Sequence, residues 1–488
     1  MKKLTELEFN NTYAKLPSEF YQKINPTPFK NPTLISFSEP ASRLIEIDPE
    51  QSASDEFIEY ISGKKLIPGS EPIAMKYTGY QFGVYKPDLG DGRAILLGEV
   101  SNSKHEKWDL HLKGSGRTKY SRQFDGRAVL RSTIREYLCS EAMHGLGIRT
   151  TRALCIIGSD EPVQREKTET AAMLLRLSKS HVRFGTFEAL YHSGQKQHFM
   201  ILADYVIENN FPHLITEKDK YQLLTYEIAE KSASLVAKWQ AYGFTHGVLN
   251  TDNMSVIGVT IDYGPYGFIE EYNPGFTPNH SDHSGRYSFE NQPAIVFWNL
   301  KKLLSCFKNL VDDQGLSQCL DHFKDTYKQN YLDIMRKKLG LIHSQPSDSS
   351  FINKTLNMLK EYSVDYTTFF RTISDYKTHG INQETFLGKL TENGSFNNWI
   401  EEYDKRIRIE SNIDIERQES MKRYNPKYIL RNYLAEAAIR KAEDESDFSE
   451  INRLHELLKT PFTEKPGMNE FAKQSPARAK NLVISCSS

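Results

Sequence analysis

His246-Gly247-Val248-Leu249-Asn250-Thr251-Asp252-Asn253 is followed by Ile261-Asp262-Tyr263-Gly264, which puts Asp262 nine residues after Asn253. The first part is polar and turn-prone. The second ends an apolar strand on an acidic residue. Residues 221–242 just upstream carry the period of a long amphipathic helix, and Gly243 stands where a glycine closes one. The order is therefore helix, polar loop, strand, acid.

Protein kinases carry the same two parts, H-R-D-x-x-x-x-N and D-F-G. There the Asn and the second Asp hold magnesium on a triphosphate, and the first Asp accepts the substrate proton. The two metal-holding positions are filled here by Asn253 and Asp262, whereas the base position, five residues before the Asn, is Val248. The chain has parts for holding a nucleotide and lacks the usual part for phosphorylating with it.

Upstream, residues 76–113 read as strands around a tight loop. Residues 77–85 mix aromatic and small residues, Pro87-Asp88-Leu89-Gly90-Asp91-Gly92-Arg93 is a turn cluster, and Ala94-Ile95-Leu96-Leu97-Gly98-Glu99 is a buried strand. Trp108, Leu110 and Leu112 alternate with Asp109, His111 and Lys113, which puts Lys113 on the polar face at a strand end. Gly90, Gly92 and Arg93 have two readings, a phosphate cradle or a hairpin turn. Residues 127–146 have helical spacing, closed by Gly147. Glu136 lies off the centre of that helix's apolar stripe, either as the partner of Lys113 or as an exposed glutamate. Asp125-Gly126-Arg127 repeats the Asp91-Gly92-Arg93 pattern. Asp125 is either a cap or turn residue or a nucleotide contact at a helix N-terminus. Residues 174–177 and 182–185 read as two short strands, from which Arg176 and Arg183 project toward one anion or into solvent. Residues 199–207 read as an apolar strand leading to a hinge at 209–212.

Beyond the central stretch, residues 266–287 are polar and rich in turns. Their His280-x-x-His283 spacing is not read as a zinc site. Residues 292–308 read as a buried helix with Pro293 near its start, and amphipathic helical segments follow at 315–338, 351–374 and 430–442. Residues 1–75 read as a lead-in segment wrapped on a core. The tail, 456–488, is irregular and is expected to be mobile.

The 488 residues can bury a large core, and a net charge of −1 gives no global field toward nucleic acid or membrane. The five cysteines, at 139, 155, 306, 319 and 486, form no metal-like pairs and fit a reducing compartment. With neither a signal-like leader nor an apolar run long enough to span a bilayer, the chain is expected to be cytoplasmic.

Taken together, these motifs resemble the selenoprotein O family over nearly the whole chain. The resemblance rests on Leu89-Gly90-Asp91-Gly92-Arg93-Ala94, Leu112-Lys113-Gly114, Asp125-Gly126-Arg127-Ala128, Arg135-Glu136, Ser180-His181-Val182-Arg183, Asn250-Thr251-Asp252-Asn253-Met254 and Asp262-Tyr263-Gly264-Pro265. It continues through Asn279-His280-Ser281-Asp282, Gly285-Arg286-Tyr287, Trp298-Asn299-Leu300, Asn425-Pro426-Lys427-Tyr428 and the terminal Cys486-Ser487-Ser488. It implies an α+β, protein-kinase-like, two-lobed fold. The N-lobe is expected over 76–207 and a largely helical C-lobe over 208–455. It also implies ATP bound in reverse and AMP transferred to Ser, Thr or Tyr hydroxyls of target proteins by a monomeric enzyme, with UMP transfer from UTP as an extension.

By matching motif, Lys113 and Glu136 form an ion pair and Arg176 and Arg183 hold the far phosphate. Gly90, Gly92, Arg93, Asp125 and Gly126 contact the nucleotide, Asn253 and Asp262 hold magnesium or manganese, and the proton acceptor falls on Asp252. Two other classes stay in view: a conventional phosphotransferase, which Val248 opposes, and an inactive ATP-binding scaffold, which Lys113, Asn253 and Asp262 oppose. Some bacterial relatives pair the terminal Cys with a Cys just before the Asn-His-Ser-Asp motif. That position is Pro278 here, so the disulfide lacks its second cysteine.

Overall fold

The computed structural model describes residues 1–378, 396–410 and 413–477. Cys486 and the end of the expected mobile tail lie outside the described residues. The chain is a mixed α and β structure built on one antiparallel sheet. Its strands are β1 (Tyr21–Lys23), β2 (Thr33–Phe37), β3 (Ile73–Gln81), β4 (Val84–Gly90), β5 (Ala94–Ser101), β6 (Lys107–Lys113), β7 (Ala128–Val129), β8 (Arg152–Gln164) and β9 (Thr168–Ser178). The order is β1-β3-β5-β6-β9-β8-β2, with β4 on β3 and β7 on β9. The lead-in segment thus does more than wrap a core: it supplies both ends of this path. It also covers one face with helices α1 (Glu39–Ser42) and α2 (Asp55–Ile61), where Ile45, Phe57 and Ile61 pack on Ile95, Leu110, Leu112 and Leu175.

The alternation read in β6 holds. Trp108, Leu110 and Leu112 join that apolar layer, so Asp109, His111 and Lys113 face the other side, because successive side chains of a strand point oppositely. On that second side lies helix α3 (Leu130–Gly145), with Ile134, Tyr137, Leu138 and Met143 buried against Leu96, Ile156 and Leu174. Gly147 follows it at φ +71°, a left-handed stop that glycine adopts without strain.

Three sequence expectations are corrected. Residues 199–207 are helical, within α5 (Lys196–Asn210), following α4 (Phe184–His192). The buried positions Phe199, Leu202, Ala203, Val206 and Ile207 recur at three- and four-residue spacing, which one helix face satisfies and a strand does not. Residues 209–212 therefore join two helices, α5 and α6 (Lys220–Tyr242), and Phe211 is buried. Residues 182–185 form no strand. Arg183 makes a single bridge to Ser255 and is then the N-cap residue of α4. The turn expected over 87–93 is narrower, because β4 continues to Gly90.

The helical half is as read, with α6 closed by Gly243 at φ +70°, α7 (Gln292–Cys306) carrying proline in its first turn, and α8 (Asp313–Lys338). The 351–374 segment divides into α9 (Asp348–Glu361) and α10 (Tyr366–Ile373) around Ser363 at φ +51°. No helix among the described residues is long and apolar enough to cross a membrane.

A buried ion pair fixes α3 to the sheet. Arg152 donates from Nε and Nη2 to Glu141 at 2.8 and 2.7 Å, and Ser38 donates to the same carboxylate at 3.2 Å. Burial raises the Glu141 carboxyl, but the bonds from Arg152 and His455 outweigh it and lower it from 4.5 to about 2. A carboxylate depressed in the folded state stabilises the fold above its unfolded value, and that stability is lost as pH falls through the folded value. Glu141→Gln should cost about 3 kcal/mol at neutral pH. In urea unfolding series, the gap from wild type should close as pH falls from 4.5 toward about 2.

Candidate active site

A cleft of about 410 Å³ opens between the sheet and the 248–265 segment. Gly90, Gly92, Arg93, Lys113, Asp125, Gly126, Arg176, Arg183, Asp252, Asn253 and Asp262 all line it. Glu136 lies behind the wall, 1% exposed and paired with Lys113. The exposed alternative for this residue is thereby overturned, because α3 packs its Glu136 side onto the sheet.

The centre of the cleft is an alternating set of charges. Asp262 has φ +55°, uncommon for a side chain other than glycine and a conformation that collects at functional sites. One carboxylate oxygen accepts from Arg176 Nη1 and the other from Arg183 Nη1. Arg176 also donates to Glu136 at 3.1 Å, so Glu136 bridges Arg176 and Lys113. Burial alone would raise Asp262, but Arg183, Arg176 and Lys113 hold it well below the carboxylate range. Burial likewise lowers Lys113, against the pull of Glu136.

The arginines are themselves oriented from below. Arg176 Nη2 donates to His111 Nδ1 at 2.7 Å, and His111 Nε2 sits 3.0 Å from Asp91 Oδ2. A guanidinium only donates, so Nδ1 is the acceptor and Nε2 carries the proton given to Asp91. Burial pushes His111 well below the usual range, consistent with a neutral ring. His111 stacks on His181 at 4.2 Å, and His181 Nδ1 lies 3.0 Å from Asp109. Sequence reasoning assigned no role to His111 or Asp91. The usable signal was that Asp109 and His111 share the Lys113 face of β6.

The loop before Asp262 is fixed by residues distant in sequence. Asn279 donates to the Gly247 carbonyl at 3.1 Å, Asn299 to Leu249 at 3.0 Å, and Tyr287 to the Asn250 side chain at 2.7 Å. Asn253 donates its amide to the Val248 carbonyl at 2.9 Å, so Val248 serves the loop through its backbone. Thr251 donates to Glu188 of α4 at 2.7 Å and accepts from Tyr80 N–H of β3 at 2.8 Å. No sequence motif pointed to Glu188, whose burial pushes it up to about 8.

Asp252, beside Thr251, is raised by burial to about 6. Its Oδ2 accepts from Gln81 at 3.3 Å, and its Oδ1 is buried without a hydrogen-bond partner among the described residues. A Cβ on Gly79 would collide with that oxygen, so β3 closes over Asp252 only because residue 79 is glycine.

Gly90 and Gly92 lie against the 116–127 loop, where a Cβ would come within 2.5 Å of the Tyr120 ring and 2.8 Å of the Tyr120 carbonyl. Asp125 is a turn residue, accepting from Arg127 N–H at 2.8 Å and from Arg165 at 2.7 and 3.0 Å. It is not at a helix N-terminus, since α3 starts at Leu130. His280 and His283 have rings 6.2 Å apart. Among the described residues, no group of three or more His, Cys, Asp or Glu could hold a metal ion.

Comparison with known proteins identifies the family. A family model described as "Protein adenylyltransferase SelO" matches residues 3–459. Proteins named "Protein nucleotidyltransferase YdiU" from Myxococcus xanthus and Thioalkalivibrio sulfidiphilus are each 46% identical, and one from Pseudomonas putida is 45% identical. All three matches cover 100% of this chain and 100% of the relative.

The Glu188–Thr251–Tyr80 link yields a direct prediction. Thr251→Val leaves the Tyr80 N–H and Glu188 without partners and should cost about 1–3 kcal/mol in urea unfolding. Glu188→Gln keeps the acceptor for Thr251 and should cost under about 1 kcal/mol.

Proposed function

The chain belongs to the SelO family of protein adenylyltransferases and is an enzyme of the nucleotidyltransferase class, and on that premise we propose that it transfers AMP from ATP to Ser, Thr or Tyr hydroxyls of target proteins. The single observation that carries the reading is the placement of Arg176 and Arg183 on Asp262 inside the cleft. Two guanidiniums there suit the far end of a triphosphate, since the planar fork matches phosphate oxygens. The reading takes the architecture as a two-lobed kinase-like fold, supported by Lys113 on β6 paired with Glu136 on α3.

In this reading the triphosphate lies reversed, with its α-phosphorus beside the catalytic loop. The acceptor hydroxyl oxygen forms a bond to that phosphorus. The bond from phosphorus to the α–β bridging oxygen breaks, and pyrophosphate leaves with the electron pair. The hydroxyl proton goes to Asp252, whose buried Oδ1 has no hydrogen-bond partner among the described residues. Arg176, Arg183 and Lys113 neutralise the charge growing on pyrophosphate. Val248 has no proton-accepting side chain, so the role moves to Asp252.

Asn253 and Asp262 fit a magnesium ion arriving with the nucleotide. Both offer hard oxygen donors, and the Asn253 amide nitrogen is committed to Val248, which leaves its carbonyl oxygen for a ligand. When bound, the ion draws electron density from the phosphoryl oxygens. Two protein donors are fewer than a magnesium ion takes, so phosphate oxygens and water would supply the rest.

Incubation with ATP labelled at the α- or the γ-phosphate tests the reading. Protein labelled only from the α position is expected. Labelling only from γ would make the chain a phosphotransferase, and binding without label would make it a scaffold. Asp262→Ala should lower α-label incorporation at least about a hundredfold; unchanged labelling would sink the metal assignment.

A further inference from the structure

The β3–β4 hairpin that covers Asp252 carries an unusual tip. Phe82 and Gly83 occupy the turn at φ +50° and +82°. Paired positive φ values in a two-residue hairpin turn favour Asn, Asp or Gly, and a phenylalanine in the first position is strained. It is also 43% exposed, as its neighbour Val84 is 59% exposed. Strain and exposed apolar area at one residue, beside the catalytic loop, mark a surface kept for binding.

The tip leads to an aromatic patch. Phe82 covers the buried Tyr287 ring at 5.0 Å, and beside it the partly exposed Tyr80 is 5.6 Å from Trp298 and 5.2 Å from Tyr85, and Tyr85 is 4.2 Å from His192. The Tyr80 backbone N–H bonds Thr251, while the next side chain, Gln81, points to the opposite face of β3 and bonds Asp252, so the patch and the catalytic loop meet around the hairpin tip.

Two cations lie on it. Arg286 stands 4.9 Å over Trp298, and Lys302 stands 4.7 Å over Tyr80 and 4.9 Å over Trp298. Neither has a carboxylate within the 4.0 Å limit of an ion pair among the described residues. Aromatic side chains and arginine are the groups that anchor protein interfaces, and unpaired cations complement an acidic partner.

We propose that this patch docks the acceptor, an extended segment of the target protein with an acidic and an apolar residue beside the hydroxyl that is modified. The inference rests on the adenylyltransferase reading. The acidic residue meets Arg286 and Lys302, the apolar residue packs on Phe82 and Trp298, and the segment passes around the Phe82–Gly83 tip so that the hydroxyl reaches Asp252 on the Gln81 side.

Two synthetic peptides test it with the full chain and α-labelled MgATP. One carries Ser, Thr and Tyr flanked by Asp, Glu and Leu; the other has Lys in place of each acid. The acidic peptide should be modified with kcat/KM at least about tenfold higher. Arg286→Ala combined with Lys302→Ala should narrow that ratio to within about twofold, and Phe82→Ser should lower kcat/KM for the acidic peptide at least about fivefold. The Kd for MgATP by calorimetry should stay unchanged in all variants, which also shows that they fold.

Equal modification of the two peptides overturns the proposal, as does a parallel loss of MgATP affinity in the variants. Label entering lysate proteins while neither peptide is modified overturns docking alone. No label on any protein overturns the reading on which it rests. Self-association of the wild type that the variants abolish would give the patch to a second copy of the chain and overturn the acceptor role.

Discussion

Two buried guanidiniums share one carboxylate at the centre of this molecule, and most of its architecture serves that contact. Arg176 comes from β9 and Arg183 from the start of α4, while Asp262 turns toward both in a left-handed backbone conformation. Taking two guanidiniums out of water and half-burying a carboxylate is expensive unless each is matched and hydrogen-bonded. The surroundings supply the matches, with Glu136 between Arg176 and Lys113, and Asp91 reaching Arg176 through neutral His111. The antiparallel pairing of β6 and β9 sets His111 opposite Arg176 and Lys113 opposite Leu174, so strand register alone assembles half the set.

This arrangement explains how a site with so many cations stays folded without a ligand. Asp262 occupies both arginines where a polyphosphate would. On the proposed reading, a nucleotide arriving with a divalent ion would exchange these partners, the phosphate taking the arginines and the ion taking Asp262 with Asn253. The catalytic loop is held apart from this exchange by Asn279, Tyr287 and Asn299, which bond its backbone and Asn250.

Much of this was legible in the residues because strand and helix periods are local. The alternation of Trp108, Leu110 and Leu112 with Asp109, His111 and Lys113 fixed the face of Lys113. Gly243 and Pro293 marked helix ends for reasons confined to their own turns. The 199–207 run misled because a short apolar stretch fits either period, and only its packing against neighbouring helices selects one. Glu188 and the paired roles of His111 and Asp91 were not legible, since they exist only once β3, β6, β9 and α4 are brought together. Motif residues such as Asn279 and Asn299 were visible as a pattern, yet their work as loop anchors emerged only from the backbone groups they reach.

The central claim is that the nucleotide lies reversed, its far phosphate on the arginines that now hold Asp262. A crystal structure with magnesium and a non-hydrolysable ATP analogue tests it most directly. The account predicts the terminal phosphate on Arg176 and Arg183, with the α-phosphate beside Asn253, Asp262 and Asp252. A terminal phosphate facing Asp252, with the nucleoside toward Arg176 and Arg183, would contradict it.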